Sequence, residues 1–481
     1  MSQHLLESKL VTFNFSTTTL ENIRCDISID DITTWSGIKI KTKDSAALAL
    51  IDQKDINIRI QTHGEKSEIN DYIFIHDAFI DSFEKFMNHP NSYYEFKVIP
   101  KNIYTHTESY TKETETPRTI RFFINDAPLI APFSHFQSTE DGVISHSKGE
   151  VFSVCIDAKN IATMDIKFTS HITNKSINLE KYQIIEIQTL ESEYDVEKIN
   201  SELFNKIDSL CDIISLAHGE KVICTSWLYQ SPEKRIFFHR KNYKEQPNIS
   251  TESNKRIIEK RMIKDFLQRT YDNYISSPYY DSLRLAINSL TIDRIFVEQQ
   301  YLSLFQAYES LVLNFKKQQC LENIIKAEDF SKLRKKIEKQ INKDDIPDKE
   351  ARSRMKAKLA ELNRPSLEDI TKLLLEETEI SNKDLWPLFK DGKGISLSEL
   401  RNIIIHGEIL PPHCIIDLHI ASEHLKIHLS RLVCTLLKWE INNTNISEER
   451  LQKRFNLTDK SFCNTHRNSL STACDKNLNP R

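Results

Sequence analysis

The stretch Asp391-Gly392-Lys393-Gly394-Ile395-Ser396-Leu397-Ser398-Glu399-Leu400-Arg401-Asn402-Ile403-Ile404-Ile405-His406-Gly407 decides how the second half of the chain is read. Two glycines make a turn. Ser396, followed three residues later by Glu399, forms a capping box, so a helix begins there. Gly407 stands where a left-handed residue would end that helix, and Pro411-Pro412 prevents continuation. The spacing predicts a helix of about ten residues.

Outward from this helix the pattern stays helical, from about 255 to 441. Ile295 to Phe315 is amphipathic, with Tyr301, Leu304, Phe305, Tyr308, Leu311, Val312 and Phe315 on one face. Ile416 to Trp439 is a second long amphipathic run. Residues 1 to about 190 read differently. Val11–Phe15, Ile56–Ile60, Tyr93–Ile99 and Thr119–Ile124 alternate with period two, as half-buried strands do. His63-Gly64 and Asp141-Gly142 mark turns. Val196, Ile199, Leu203, Ile207, Leu210 and Ile214 form one helical stripe. The polar, aperiodic stretch Lys241 to Ser253 is read as the domain boundary.

These readings predict an α+β chain. Residues 1–245 form a β-rich, sandwich- or barrel-like domain with one helix near 194–217, suited to sensing or targeting. Residues 255–441 form an all-α bundle with a charged helical insertion near 326–364, and 442–481 form a polar, frayed tail.

Composition removes several function classes. The 481 residues carry 65 Lys and Arg against 69 Asp and Glu, a net charge of −4, so the surface as a whole is no polycation. Only 8 residues are glycine, and neither a Gly-x-Gly-x-x-Gly nor a Walker pattern occurs, which argues against dehydrogenases, P-loop NTPases and ordinary kinases. The 9 cysteines are scattered with no Cys-x-x-Cys, as expected for free thiols in a reducing cytosol. No long apolar run is present, so a cytoplasmic protein without a membrane span is expected.

The chemistry centres on Arg401 and His406. Imidazole is the side chain that ordinarily titrates near neutral pH, so His406 could act as general acid or base. Arg401 keeps its proton, and its planar fork suits phosphodiester oxygens and a phosphorane-like transition state. The pair is a workable kit for RNA cleavage without a metal or other cofactor. The same residues also read as a surface helix whose Arg and His merely cap or salt-bridge.

Leu400-Arg401-Asn402-Ile403-Ile404-Ile405-His406-Gly407 resembles the Arg-x4–6-His motif of the HEPN superfamily of ribonucleases, in a form where a polar Asn follows the Arg. Ser303 to Leu311 resembles the first core helix of that fold, with an acidic residue inside an apolar stripe. A β-rich region before such a domain is similar to the ApeA-like antiphage defence family. The resemblance implies a four-to-five-helix bundle that dimerises (or forms a higher even oligomer) with paired motifs in one composite site. It also implies metal-independent endoribonuclease activity on RNA, possibly tRNA, and a toxin-like role in abortive infection set off by a phage-derived trigger. Carried over by position, Arg401 and His406 are catalytic, Asn402 is a polar supporter, and Glu309 is either an orienting acid or a solvated helix residue. The long charged insertion departs from the family's compact linkage. The reading from another class is a catalytically silent HEPN scaffold that binds RNA or protein.

A local argument also favours a dimer. Residues i and i+5 on a helix point about 140° apart, so one helix cannot easily aim both groups at one point, whereas two copies across a twofold axis could. Three weaker signals remain. Arg352, Arg354, Lys356 and Lys358 read either as an arm that contacts RNA phosphates or, in preference, as part of a solvated, salt-bridged helix pair. His424 and His428 stand at i,i+4, a spacing metals use, but with no third ligand they read as a half-exposed helix face. Cys414 beside His413 has no partner acid and is discounted as a nucleophile.

Overall fold

The computed structural model describes residues 4–478 outside the segments 16–17, 32–35, 51–55, 62–68, 87–92, 100–101, 110–117, 125–134, 139–143, 148–151, 158–159, 173–176, 189–193, 232–233, 241–255, 293–295, 344–347, 393, 408–409 and 455–458. The turns expected at His63-Gly64 and Asp141-Gly142, and the boundary expected between Lys241 and Ser253, lie outside the described residues. By its internal contacts the chain divides into two compact units, Met1–Cys211 with Val222–Glu252 and Asp212–Lys221 with Ser253–Arg481.

The first unit contains β1 (His4–Phe15), β2 (Thr18–Asp31), β3 (Ser36–Thr42), β4 (Ile56–Gln61), β5 (Ile69–Phe86), β6 (Tyr93–Ile99), β7 (Asn102–Ser109), β8 (Thr119–Ile124), β9 (His135–Ser138), β10 (Ile144–Ser147), β11 (Phe152–Cys155), β12 (Ile161–Ile172), β13 (Ile177–Gln188), β14 (Cys224–Gln230) and β15 (Lys234–Arg240). The pairings are antiparallel. β1 pairs with β2 and β4, β2 with β3, β3 with β6, and β5 with both β4 and β6, which closes a six-stranded barrel.

The 18-residue β5 makes this closure possible. Its second half meets β6 (Phe79 opposite Ile99), and its first half meets β7 (His76 opposite Asn102). β6 and β7 therefore follow one another along the same edge of β5, and β7 carries the sheet onward through β15, β14, β8, β13 and β12 to β11. Period-two alternation fills the barrel. Val11, Phe13, Ile23, Ile27, Ile38, Ile40, Ile56, Ile58, Ile60, Ile73, Ile75, Phe96 and Val98 form one buried cluster. β9 and β10 pair separately as a two-stranded sheet.

Asp195 caps α1 (Val196–Lys198), which runs through a π-helical stretch, Ile199–Phe204, into α2 (Asn205–His218). Ile199, Leu203, Ile207 and Leu210 of the expected stripe are buried, and the Phe204 ring packs against Phe122 and Phe238. The 1–245 boundary needs one correction: Asp212–Lys221 groups with the helical unit. Asp212 accepts from Lys221 Nζ at 2.6 Å and from the Tyr274 hydroxyl at 3.1 Å, and the Ala217 carbonyl accepts from the N–H groups of Ile257 and Ile258.

The second unit holds α3 (Ile263–Ile275), α4 (Tyr280–Thr291), α5 (Val297–Gln318), α6 (Ala327–Lys343), α7 (Lys349–Lys358), α8 (Leu367–Glu377), α9 (Leu397–Ile405), α10 (Ile415–Leu436), α11 (Glu448–Arg454) and α12 (Lys460–Leu478). All seven stripe residues from Tyr301 to Phe315 are buried in α5, which packs against α4, α8, α9 and α10. Burial extends around most of α10, from Leu418 to Cys434.

The frayed-tail expectation for 442–481 is corrected by α11 and α12. Cys463, Arg467, Leu470 and Cys474 are buried on one face of α12, at four- and three-residue steps. An arginine and two cysteines in that stripe hide it from a reading based on Leu, Ile and Phe. Arg467 is buried because its Nη2 donates to Asp391 at 2.7 Å. Among the described residues no helix is long and apolar enough to cross a membrane.

Candidate functional site

The capping box predicted for α9 is present. The Ser396 hydroxyl accepts from the Glu399 N–H at 3.3 Å, and a Glu399 carboxylate oxygen accepts from the Ser396 N–H at 2.9 Å. His406 is the C-cap, and Gly407 takes φ +79°, the left-handed turn that glycine permits. Tyr301 anchors the start of the helix, its buried hydroxyl donating to the Leu397 carbonyl at 2.6 Å. Leu397 and Leu400 are buried, while Ile403 and Ile404 are half-buried.

This packing lays Arg401 across α5. Its Nη2 donates to Glu309 Oε2 at 3.1 Å, its Nη1 donates to Asn402 Oδ1 at 3.0 Å, and its Cζ lies 5.8 Å from the centre of the Phe305 ring. Phe305 and Glu309 are one turn apart on α5, so one helix face supplies both a ring and a carboxylate. A guanidinium has five N–H groups. With two engaged, three remain without an acceptor among the described residues, on a side chain 29 % exposed. Such a fork is fixed in place yet still able to bind an oxyanion.

His406 is exposed at the end of the same helix, with no side-chain hydrogen bond among the described residues. Among the described residues no hydrogen bond joins it to Arg401. Ile405 beside it is 50 % exposed, and Ile415 and Ile416, at the start of α10, are 51 % and 68 % exposed. The structure thus brings Arg401, Asn402 and Glu309 together and leaves His406 exposed beside the half-exposed Ile405.

The four basic residues of the insertion lie elsewhere. Arg354 pairs with Glu350 at 2.6 Å and Lys356 donates to Asn342 at 2.6 Å. Lys358 is exposed and Arg352 half-buried. Arg334 and Glu338 pair on the neighbouring α6.

His424 and His428 are fully buried rather than half-exposed, and they grip one residue. The Trp386 N–H donates to His424 Nδ1 at 3.2 Å, and His428 Nε2 donates to the Trp386 carbonyl at 2.8 Å. Burial pushes His424 down to about 4 and His428 down to about 3, so both are neutral rings that hold a loop. Among the described residues no group of three or more His, Cys, Asp or Glu could hold a metal ion. Cys414 is buried, and burial, with Asp417 nearby, pushes its thiol up, away from the nucleophilic thiolate.

Phe305 under Arg401 was not singled out from the sequence as a partner. The signal available was its i,i+4 relation to Glu309. Missed as well was a cavity of about 440 Å³ lined by Pro411, His413, Thr465, Asn468, Ser469, Thr472 and Ala473, most of which belong to the segment read as a tail. Comparison with protein-family models, with curated proteins and with solved structures finds no match for this chain.

Proposed function

We propose that the chain is a metal-independent endoribonuclease of the HEPN type acting in antiviral abortive infection. The observation that carries this reading is the Arg401 guanidinium, held on α5 with three N–H groups left over, on a nine-residue helix that ends at an exposed imidazole. RNA offers a nucleophile of its own, the 2′-hydroxyl. An imidazole at His406 takes its proton, the 2′-oxygen attacks phosphorus, and a second imidazole protonates the departing 5′-oxygen. The products are a 2′,3′-cyclic phosphate and a 5′-hydroxyl. Arg401 stabilises the charge that builds on the phosphoryl oxygens, the role for which preorganised donors are most effective.

The Arg401–His406 helix supplies one imidazole, and pairing two such helices across two copies would supply both proton transfers. The exposure of Ile405 beside His406, and of Ile415 and Ile416 at the start of α10, supports pairing of these surfaces with a second copy of the chain. Glu309 is assigned to orienting Arg401. The paired and hydrogen-bonded Arg354 and Lys356 make the insertion a secondary RNA contact at most.

Purified wild type and His406→Ala, incubated with total and transfer RNA, test the reading. Fragments from wild type alone are expected. Intact RNA with the wild-type chain would overturn it and leave a binding or scaffold module.

A further inference from the structure

The lysines of α6 stand in register. Each residue of an α-helix turns about 100°, so Lys332, Lys335, Lys336 and Lys339 fall within an arc of about 100°. All four are exposed. Phe330, Ile337 and Ile341 lie on the opposite side of the helix, the first two half-buried and the third buried. α6 packs on α7 and on the 3-10 turn Leu359–Asn363, and its lysine side is turned to solvent.

The acidic residues of α6 leave most of this stripe open. Asp329 pairs with Lys332 at 3.3 Å, and Glu338 is engaged by Arg334 at 2.8 Å. Lys335, Lys336 and Lys339 have no ion pair or hydrogen bond among the described residues. On α7, by contrast, Arg354 is held by Glu350 and Lys356 by Asn342, each at 2.6 Å. The open charge of the hairpin is therefore concentrated on α6.

The chemistry of the stripe narrows its partner. A membrane surface would take the apolar side of the helix, and Phe330, Ile337 and Ile341 are already turned to the protein. Protein interfaces are anchored by aromatic residues and arginine, and the stripe has neither. Lysines are flexible point charges with no fork to read a shape, which suits a phosphate backbone bound without regard to sequence. Lys332 and Lys336, like Lys335 and Lys339, are one turn apart, about 6 Å along the axis, so their ammonium groups can follow successive phosphates of a strand. The hairpin leaves the bundle at the end of α5, the helix that bears Glu309 and Phe305 beside Arg401, and the chain returns at α8, which packs on α5.

We propose that α6, rather than α7, carries the RNA contact of the insertion, with Lys335, Lys336 and Lys339 binding the phosphate backbone of the strand cleaved at Arg401 and His406. It rests on the ribonuclease reading for the identity of the strand as substrate.

The probe is a fluorescent 2′-O-methyl oligonucleotide of mixed sequence, which has the phosphates of RNA but no free 2′-hydroxyl to attack. Its affinity for the full chain is measured by anisotropy between about 50 and 200 mM salt. Lys335→Gln/Lys336→Gln/Lys339→Gln is compared with a charge-matched control at three other exposed positions, Lys317→Gln/Lys383→Gln/Lys460→Gln. Each phosphate contact on a single strand contributes about 0.7 to the log–log salt slope, so the stripe variant should flatten it by about 2 while the control stays near wild type. An unchanged slope in the stripe variant, an equal loss in the control, or no binding by wild type overturns the proposal. Poly-glutamate bound as tightly as an oligonucleotide of equal charge, and lost in the same variant, assigns the stripe to an acidic protein instead and likewise overturns it. Steady-state cleavage of ordinary RNA separates the two readings. The stripe variant is expected to raise KM by roughly an order of magnitude and to keep kcat. Cleavage with wild-type KM in that variant removes the stripe alone. Stripe-dependent binding with no cleavage by wild type removes the ribonuclease reading and leaves a surface that binds RNA.

Discussion

Replacing Arg401 by lysine keeps a positive charge but removes the planar fork, and the structure says what should follow. The guanidinium reaches Glu309 at 3.1 Å through Nη2 and Asn402 at 3.0 Å through Nη1 while its plane stays near the Phe305 ring. A lysine ammonium is a single point with three N–H groups. If it pairs with Glu309 it cannot also span Asn402 and present two parallel donors to a phosphoryl oxygen. Losing one preorganised donor of this kind costs on the order of 10²–10³ in rate, roughly 3–4 kcal/mol of transition-state stabilisation. The fold should scarcely notice. The ion pair is partly solvent-exposed, at 29 % and 22 %, so its contribution to stability is at most about 1 kcal/mol, and the ring contact adds a similar amount. The assay is single-turnover cleavage of a labelled RNA, with thermal unfolding of the same samples. A variant that unfolds like wild type and cleaves 100- to 1000-fold more slowly is expected. Near-wild-type cleavage would refute the fork as a transition-state contact and reduce Arg401 to a structural cation.

Three further outcomes are expected. Cleavage should survive EDTA at constant ionic strength with the RNA fold controlled, because Arg401 and His406 carry the chemistry, whereas loss of activity restored by a divalent ion would contradict the mechanism. In a ninefold excess of His406→Ala, activity per wild-type chain should fall to about one tenth if both imidazoles of a pair are needed. Activity that only dilutes, with light scattering showing monomers, would remove the composite site and leave the ribonuclease reading standing. The buried, neutral His424 and His428 should make the helical unit acid-labile. The unfolded chain takes up these protons near the ordinary 6.5, whereas the folded values are about 4 and about 3, so the stability is fully present above pH 6.5 and is lost as pH falls from there toward 4 and 3. At pH 5 the loss is roughly 2 kcal/mol for each ring, read as a falling unfolding temperature that flattens in part in His428→Gln, and a flat wild-type profile between pH 7.5 and 5 would contradict it.

What could be read from the sequence was local. The N-cap box of α9, its glycine stop and the seven-residue stripe of α5 depend on neighbours within a turn or two, and each is found where the spacing put it. Period-two alternation located many of the strands but could not name their partners. Closure of the barrel depends on β5 serving β4 and β6 at once while its first half also carries β7, which is a property of its length rather than of its pattern. The site was legible as two residue types on one helix. The pairing of Arg401 with Glu309 spans 92 residues and could be suggested only by resemblance. The stripe of α12 was obscured because buried Arg467 draws its solvation from Asp391, a compensation that no single-segment reading contains. For His424 and His428 the spacing was visible, but the backbone they hold, at Trp386, was not.

The most direct test of the central claim is the chemistry of RNA ends in cells. Cells carrying wild type or His406→Ala are challenged with phage, and RNA termini are sequenced by a method that captures 2′,3′-cyclic phosphates. Cyclic-phosphate ends at discrete sites that appear on infection with wild type and disappear with His406→Ala are the predicted result. The same end profile in both, or breaks ending in 3′-hydroxyls that need His406, would contradict an imidazole- and arginine-driven transesterification.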